Sequence, residues 1–244
     1  MTAIELKGLT KAFGDKTVVD NVSLTVEEGE LFGLLGVNGA GKSTTIKMLS
    51  CLLALTSGDA LVCGESILYR PEQVKKVINV SPQETAVAPN LTVWENLLLM
   101  AELYGKGRAA AEKKAAEVAE LFSLGEVARQ RAKTLSGGWQ RRLSIAMALV
   151  SEPRVLFLDE PTLGLDVLAR RELWHILEAL KSKTTIVLTT HYLEEAERLS
   201  DRIAILAKGR IKAIGTPAEL KVAAGTGDFE EAFIHFAGGE RDAL

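Results

Sequence analysis

The octapeptide Gly36-Val37-Asn38-Gly39-Ala40-Gly41-Lys42-Ser43 has the spacing G-x-x-x-x-G-K-S. Glycines at these positions let backbone N–H groups turn inward on an anion, and the start of a following helix adds positive potential. Lys42 is then expected to reach the β- and γ-phosphates of a nucleotide, and Ser43 to offer its hydroxyl to Mg2+, with Thr44 completing the phosphate-facing set. A second group of reactive residues is Asp159-Glu160, two carboxylates delivered in succession by the apolar run Val155 to Leu158. Strands of this kind end at the edge where open α/β sheets bind ligands. There Asp159 would hold the Mg2+ shell and Glu160 would polarise an attacking water as general base. Ser136-Gly137-Gly138, ahead of a helical stretch through Leu149, forms a second candidate anion site, with a serine at the N-cap position and glycines that permit close approach. Taken singly, an acid at 159 or 160 could merely cap the turn at Pro161-Thr162, and Ser-Gly-Gly reads more simply as a cap and a turn.

These groups need a scaffold that joins distant parts of the chain. Ile4 to Val26 alternates apolar and polar residues around Gly14-Asp15, which predicts a small antiparallel β layer. Leu31 to Leu35 is a short apolar run closed by glycine, and Lys42 to Leu53 has helical periodicity, giving strand, glycine loop, helix. Val77 to Val80, ended by Ser81-Pro82, predicts a further buried strand. From Thr92 to Val150 the texture is helical, opening on the capping-box pattern Thr92 to Glu95. Strand runs return at Val155 to Leu158, Thr185 to Leu188 and Ile203 to Leu206, separated by helices at Leu168 to Leu180 and Tyr192 to Leu199. The helical lobe is therefore an insertion between two halves of one parallel α/β core. The segment from Ala223 is weakly patterned.

Composition narrows the partners. With 244 residues, 47% hydrophobic and 25% charged, the chain suits one large domain or two small lobes. A net charge of −3 with no Lys/Arg block argues against nucleic acid as a partner. Cys51 and Cys63 have no metal-binding or CxxC spacing and read as apolar fillers in a reducing, cytosolic compartment. Charges throughout Met1 to Lys16 leave no apolar run suited to a signal peptide, and no stretch reaches the ~20 apolar residues of a membrane span.

The ordered combination resembles the ATP-binding subunit of ABC transporters, from about Ile4 to Leu220. On that resemblance Gln83 matches the Q-loop, a contact to Mg2+ and the attacking water, and Leu135 to Trp139 match the signature, with Ser136, Gly137 and Gly138 facing nucleotide. Gly164-Leu165-Asp166 match the D-loop, His191 matches the switch histidine that holds the γ-phosphate and the water, and Phe13 matches the aromatic that stacks on adenine. Without it, His191 reads as a turn residue and Gln83 as a solvated loop residue, as His175 and His235 read as surface or packing residues. Phe13 stands where tyrosine is frequent, Trp139 where glutamine is usual and Leu163 where a small polar residue is common; none of the three removes a catalytic group.

The resemblance implies an α/β, RecA-like P-loop NTPase core with an antiparallel β layer and an inserted α-helical subdomain. It assigns residues 1–220 to one domain, with core 1–86 and 153–220 and helical subdomain 87–152, and leaves 221–244 as a short C-terminal extension. It further implies ATP and Mg2+ as ligands, a second copy of the subunit as the other half of an ATP-sandwich dimer, and a separate transmembrane permease subunit as partner. The chain is then expected on the cytoplasmic face of the cell membrane. Tyr192 to Glu197, Gly215-Thr216-Pro217 and Phe229 to Phe233 resemble exporter subunits of the ABC-2, drug-resistance type. The alternative is a soluble ABC-type ATPase acting on a ribosome or nucleic acid, whose usual paired cassettes or long coiled-coil insertion are not visible here.

Overall fold

The computed structural model describes residues 1–238. Strands β1 (Thr2–Phe13) and β2 (Lys16–Glu27) form a hairpin turned at Gly14-Asp15. Strand β3 (Leu31–Leu35) leads through the glycine loop into α1 (Lys42–Leu49). Next come β4 (Ser57–Val62), β5 (Glu65–Ser66), α2 (Pro71–Val77) and β6 (Ile78–Ser81). Helices α3 (Val93–Leu103), α4 (Arg108–Leu121) and α5 (Gly137–Val150) build the helical lobe. The chain then returns as β7 (Val155–Asp159), α6 (Val167–Leu180), β8 (Thr185–Thr190), α7 (Leu193–Leu199), β9 (Arg202–Ala207) and β10 (Arg210–Gly215). It closes with α8 (Pro217–Ala224) and α9 (Phe229–Ala237), so the weakly patterned tail is helical as far as it is described.

Two sheets result. One is antiparallel, in the order β2-β1-β4-β5; the other has the order β10-β9-β3-β8-β7-β6 and is parallel except for its edge strand β10. Period-two alternation divides the buried residues of the parallel sheet between its faces. Leu31, Leu156, Leu158, Ile186 and Leu188 pack into one cluster with Val93, Leu97, Phe122, Leu143 and Trp174 of the helices. Phe32, Leu34, Phe157 and Val187 pack on the other face against Ile4, Leu6, Leu9 and Val22 of the antiparallel layer and Ile46 of α1. Each such fully buried Leu, Ile or Phe contributes about 1.5–3 kcal/mol. One sheet thus clamps the β layer and the helical lobe on opposite faces.

Three local readings are corrected. Helix α1 stops at Leu49 rather than Leu53, because the Ser50 hydroxyl folds back onto the Ile46 carbonyl at 2.8 Å and Cys51 turns the chain at φ +57°. Leu52, which extended the apolar period, is 69% exposed. Strand β6 begins at Ile78 rather than Val77, which ends α2, and α2 itself was not anticipated although Pro71 and Glu72 supply the start signals of a helix. Strands β4, β5 and β10 were also unforeseen; β4 and β10 carry half-exposed residues and weak alternation.

The segment joining β6 to α3 is fastened to the helical lobe by one buried side chain. The Asn96 amide accepts from the Ala88 N–H at 2.8 Å and donates to the carbonyls of Thr92 and Ala88.

Candidate functional site

Because β3, β8, β7 and β6 run parallel, their C-terminal ends lie along one edge, and the four loops that follow carry the predicted chemistry. Leu35 pairs with Thr190 and Asp159 with Thr189, so the glycine loop, Asp159-Glu160 and His191 are neighbours by register alone. They open on a cavity of about 350 Å³ lined by Val18, residues 38–44, Gln83, Glu160, Leu163 and His191.

The loop's backbone requires glycine at two places. A Cβ on Gly36 would stand 2.4 Å from the Leu206 carbonyl oxygen, and Gly41, at φ +107°, would drive one to 2.7 Å from the Val18 oxygen. The loop therefore lies tight against β9 and β2 while its outer residues, Val37 to Gly39, are exposed. Lys42 is 5% exposed and donates to the carbonyls of Gly36 (2.7 Å) and Val37 (3.3 Å). Its ammonium is also 3.3 Å from Glu160 Oε1, and the other oxygen, Oε2, is 2.6 Å from His191 Nδ1. Ser43 donates to Asp159 Oδ1 at 2.9 Å, and Thr189 donates to the same oxygen at 2.6 Å. Asp159 and Glu160 are both buried, so these are directed contacts rather than solvated surface pairs. Gln83 lies at the cavity's mouth and is exposed.

The donor set fits a small hard cation. Ser43 and Asp159 present one hydroxyl and one carboxylate oxygen within hydrogen-bond distance, with the Gln83 amide in the same cavity. Mg2+ characteristically takes one or two carboxylates and completes its shell with water and substrate phosphate, and it needs no all-protein cage.

The other predicted residues lie apart from this cavity. Ser136 to Trp139, Arg142, Gly164, Leu165 and Asp166 line a separate cavity of about 430 Å³ with no lining residue in common with the first. Ser136 occupies the N-cap position of α5, but its side chain makes no capping hydrogen bond and is exposed. Asp166, in contrast, caps α6, accepting from the N–H groups of Leu168 and Ala169 at 2.9 Å each. Trp139 lies beneath the Arg142 guanidinium, 4.8 Å from the ring centroid, and Arg142 pairs with Glu172. Phe13, at the tip of the β1–β2 hairpin, is half exposed, carries the Lys11 ammonium at 4.8 Å and does not line the phosphate cavity. His175 and His235 are exposed.

Sequence reasoning missed Val18 and Thr189, whose roles arise from strand register, and it missed Glu195. On α7, Glu195 lies fully buried behind the site, where its Oε1 accepts from the Trp174 indole at 3.1 Å and its Oε2 has no hydrogen-bond partner among the described residues. Desolvation pushes this carboxyl above the usual range, against the lowering effect of the Thr190 and Thr162 hydroxyls and the Trp174 indole beside it. A raised folded-state pKa makes the contribution to stability full below the unfolded value and diminishing as pH rises through the folded one. Glu195→Gln, which keeps the acceptor for Trp174, is therefore expected to raise the midpoint of thermal unfolding at pH 8, with the gain shrinking as pH is lowered towards 5. A Tm series across that range checks it; a variant less stable than wild type at pH 8 would show that the charged form is used.

A phosphate-binding loop and a buried carboxylate aimed at the same cavity can bind a nucleoside triphosphate and activate water against it. Comparison with known proteins gives the same answer. The family model described as "ABC transporter" matches residues 19–163. The chain is 46% identical over 225 residues to the daunorubicin/doxorubicin resistance ATP-binding protein of Streptomyces peucetius, covering 92% of this chain and 68% of that one. It is 44% identical over 218 residues to the Nod factor export ATP-binding protein I of Burkholderia lata, covering 89% and 72%. A solved dimeric ATP-binding cassette in a post-hydrolysis state, bound to ADP and Pi, superposes with a TM-score of 0.79 at 28% identity over 87% of this chain and 98% of that one. The chain belongs to the ABC transporter family, as one of its ATP-binding, ATP-hydrolysing subunits.

Proposed function

We propose that the chain powers export through a separate transmembrane subunit, working as a dimer of two copies on the cytoplasmic face of the membrane. In this reading the P-loop amides of residues 38–44 and Lys42 bind the β- and γ-phosphates, and Phe13 offers its open face to the adenine. Ser43, Asp159 and Gln83 hold Mg2+, which neutralises charge on the phosphate oxygens. Glu160 takes the proton from the attacking water, and His191, hydrogen-bonded to it, orients that carboxylate. Ser136 to Gly138 and Asp166 face the nucleotide held by the second copy. The split into two cavities without a shared residue supports this division. The cassette dimer among the structural neighbours supports the association, and the resistance and export proteins among the relatives support export. Among the described residues no helix is long and apolar enough to cross a membrane, so on this reading the path for substrate lies in the partner.

The observation that carries coupling is the segment 83–91. It starts at Gln83 in the mouth of the cavity and ends where Asn96 ties it to the helical lobe, so a displacement at the γ-phosphate is passed to that lobe. Glu84, exposed on this segment, is where a partner would be felt. Glu84→Lys is expected to lower transport-coupled turnover in native membranes while sparing the basal ATPase of the isolated chain, and cross-links from residues 84–91 are expected to reach a membrane protein. If the chain instead travels with ribosomes and never cross-links to a membrane protein, the soluble reading replaces this one.

A further inference from the structure

Glu160 has a backbone φ of +50°, a left-handed conformation that is strained for a non-glycine residue and persists only where the surroundings over-determine it. The Glu160 N–H donates to the Thr189 hydroxyl at 3.0 Å, and the residues flanking Glu160 are held by Arg141, which projects from α5, the helix whose N-cap position is Ser136. Its side chain is 3% exposed, and among the described residues its guanidinium bonds only to main-chain carbonyls. Nε donates to Pro161 O and Nη2 to Asp159 O, both at 2.8 Å, which secures the residues on either side of Glu160. Nη1 donates to Pro82 O at 2.5 Å and reaches Gln83 O at 3.4 Å, the first residues of the loop that leads to the helical lobe.

None of these four acceptors carries a full charge, so the arrangement is not a salt bridge retained for charge balance. Burial lowers the Arg141 pKa to about 10, which still leaves the group protonated at neutral pH. A planar fork is needed to span carbonyls from two separate loops; an ammonium offers three donors about one point and cannot reach both. The same guanidinium therefore sets the orientation of the Glu160 turn and of the Gln83 loop relative to α5.

We propose that Arg141 is a positioning residue for hydrolysis, fixing Glu160 and the Gln83 loop in one frame with the signature helix so that the seating of that helix sets the geometry of the general base. The proposal rests on the role given above to Glu160. Its consequence is that nucleotide binding at the P-loop is independent of Arg141, whereas the rate of the chemical step is not.

Arg141→Lys retains charge and approximate length but loses the fork. In the full chain it is expected to lower kcat by about 10- to 100-fold, the loss typical of a misplaced reacting group, while the Kd for a fluorescent ATP analogue stays within about twofold. A merely structural role would weaken binding and rate together. In a Glu160→Gln background the same substitution is expected to lower the residual rate by a clearly smaller factor than in the wild type, because only its hold on the Gln83 loop remains to be lost. If Arg141→Lys does not fold, Arg141→Gln supplies the neutral counterpart, and retained analogue binding certifies the fold before rates are compared. Wild-type kcat in both variants, a parallel loss of nucleotide affinity, or a full additive loss in the Glu160→Gln background each overturns the proposal. Wild-type turnover in Glu160→Gln alone would instead overturn the general-base reading, so the two failures are distinguishable.

Discussion

Glu160→Gln is expected to leave ATP bound and to slow its hydrolysis by about 10²- to 10⁴-fold, the loss that accompanies removal of a general base. The substitution is nearly isosteric, and an amide oxygen can still accept where the carboxylate oxygen lies 2.6 Å from His191 Nδ1. Lys42 loses its carboxylate partner but retains the carbonyls of Gly36 and Val37, so the phosphate-facing ammonium remains held. Asp159 and Ser43, which on the proposed reading hold Mg2+, are untouched. Binding and chemistry should therefore separate: the Kd for nucleotide stays near wild type while single-turnover hydrolysis collapses. Phosphate release measured beside equilibrium nucleotide binding checks this. A turnover rate within a few-fold of wild type would move the proton-accepting role to another group, with His191 the first candidate.

Mixing two inactive variants is expected to restore turnover from a background of almost none. Lys42→Ala removes the ammonium that balances phosphate charge, and Ser136→Arg fills the exposed start of α5 with a bulky cation. Each homodimer then carries two defective sites. In the mixed dimer, one site combines the intact P-loop of the Ser136→Arg copy with the intact signature of the Lys42→Ala copy. With random pairing at equal amounts, about a quarter of wild-type activity should return if the two sites act independently. The expectation follows from the two separately lined cavities, of which the P-loop cavity includes no residue of the signature. Failure to recover activity at any mixing ratio, with dimer formation verified by light scattering, would mean that each chain completes its own site.

The reactive residues were legible because their chemistry is written in contiguous strings. A glycine loop that must contact β9 and β2 admits no Cβ at Gly36 or Gly41, and a strand of four apolar residues ending in Asp159, with Glu160 next, can only deliver those acids to one edge of a sheet. Leu31 to Leu35 and Val155 to Leu158 read only as apolar runs, and which of their residues face each layer follows from the pleat of the folded strands. Gln83 and His191 were another matter, since the types and spacing alone leave both as ordinary loop residues and only the resemblance to a family assigned them. The pairing of Thr190 with Leu35 and the loop after β6 bring them to the cavity.

What the sequence determined by itself was the kind of chemistry and the class of fold, because both depend on local pattern: a loop that binds phosphate, a strand that ends in acids, helices inserted between two halves of a core. Tertiary structure alone decided which groups touch. The 2.6 Å contact of His191 with Glu160 joins residues 31 positions apart, and the Arg141 fork joins α5 to loops 18 to 59 positions away. No periodicity encodes such contacts, since they follow from sheet order and register. The burial of Glu195 beside Trp174 was hidden for the same reason: in the string Tyr192 to Glu197 it is one glutamate among three, and only packing of α7 against α6 makes it the one deprived of water.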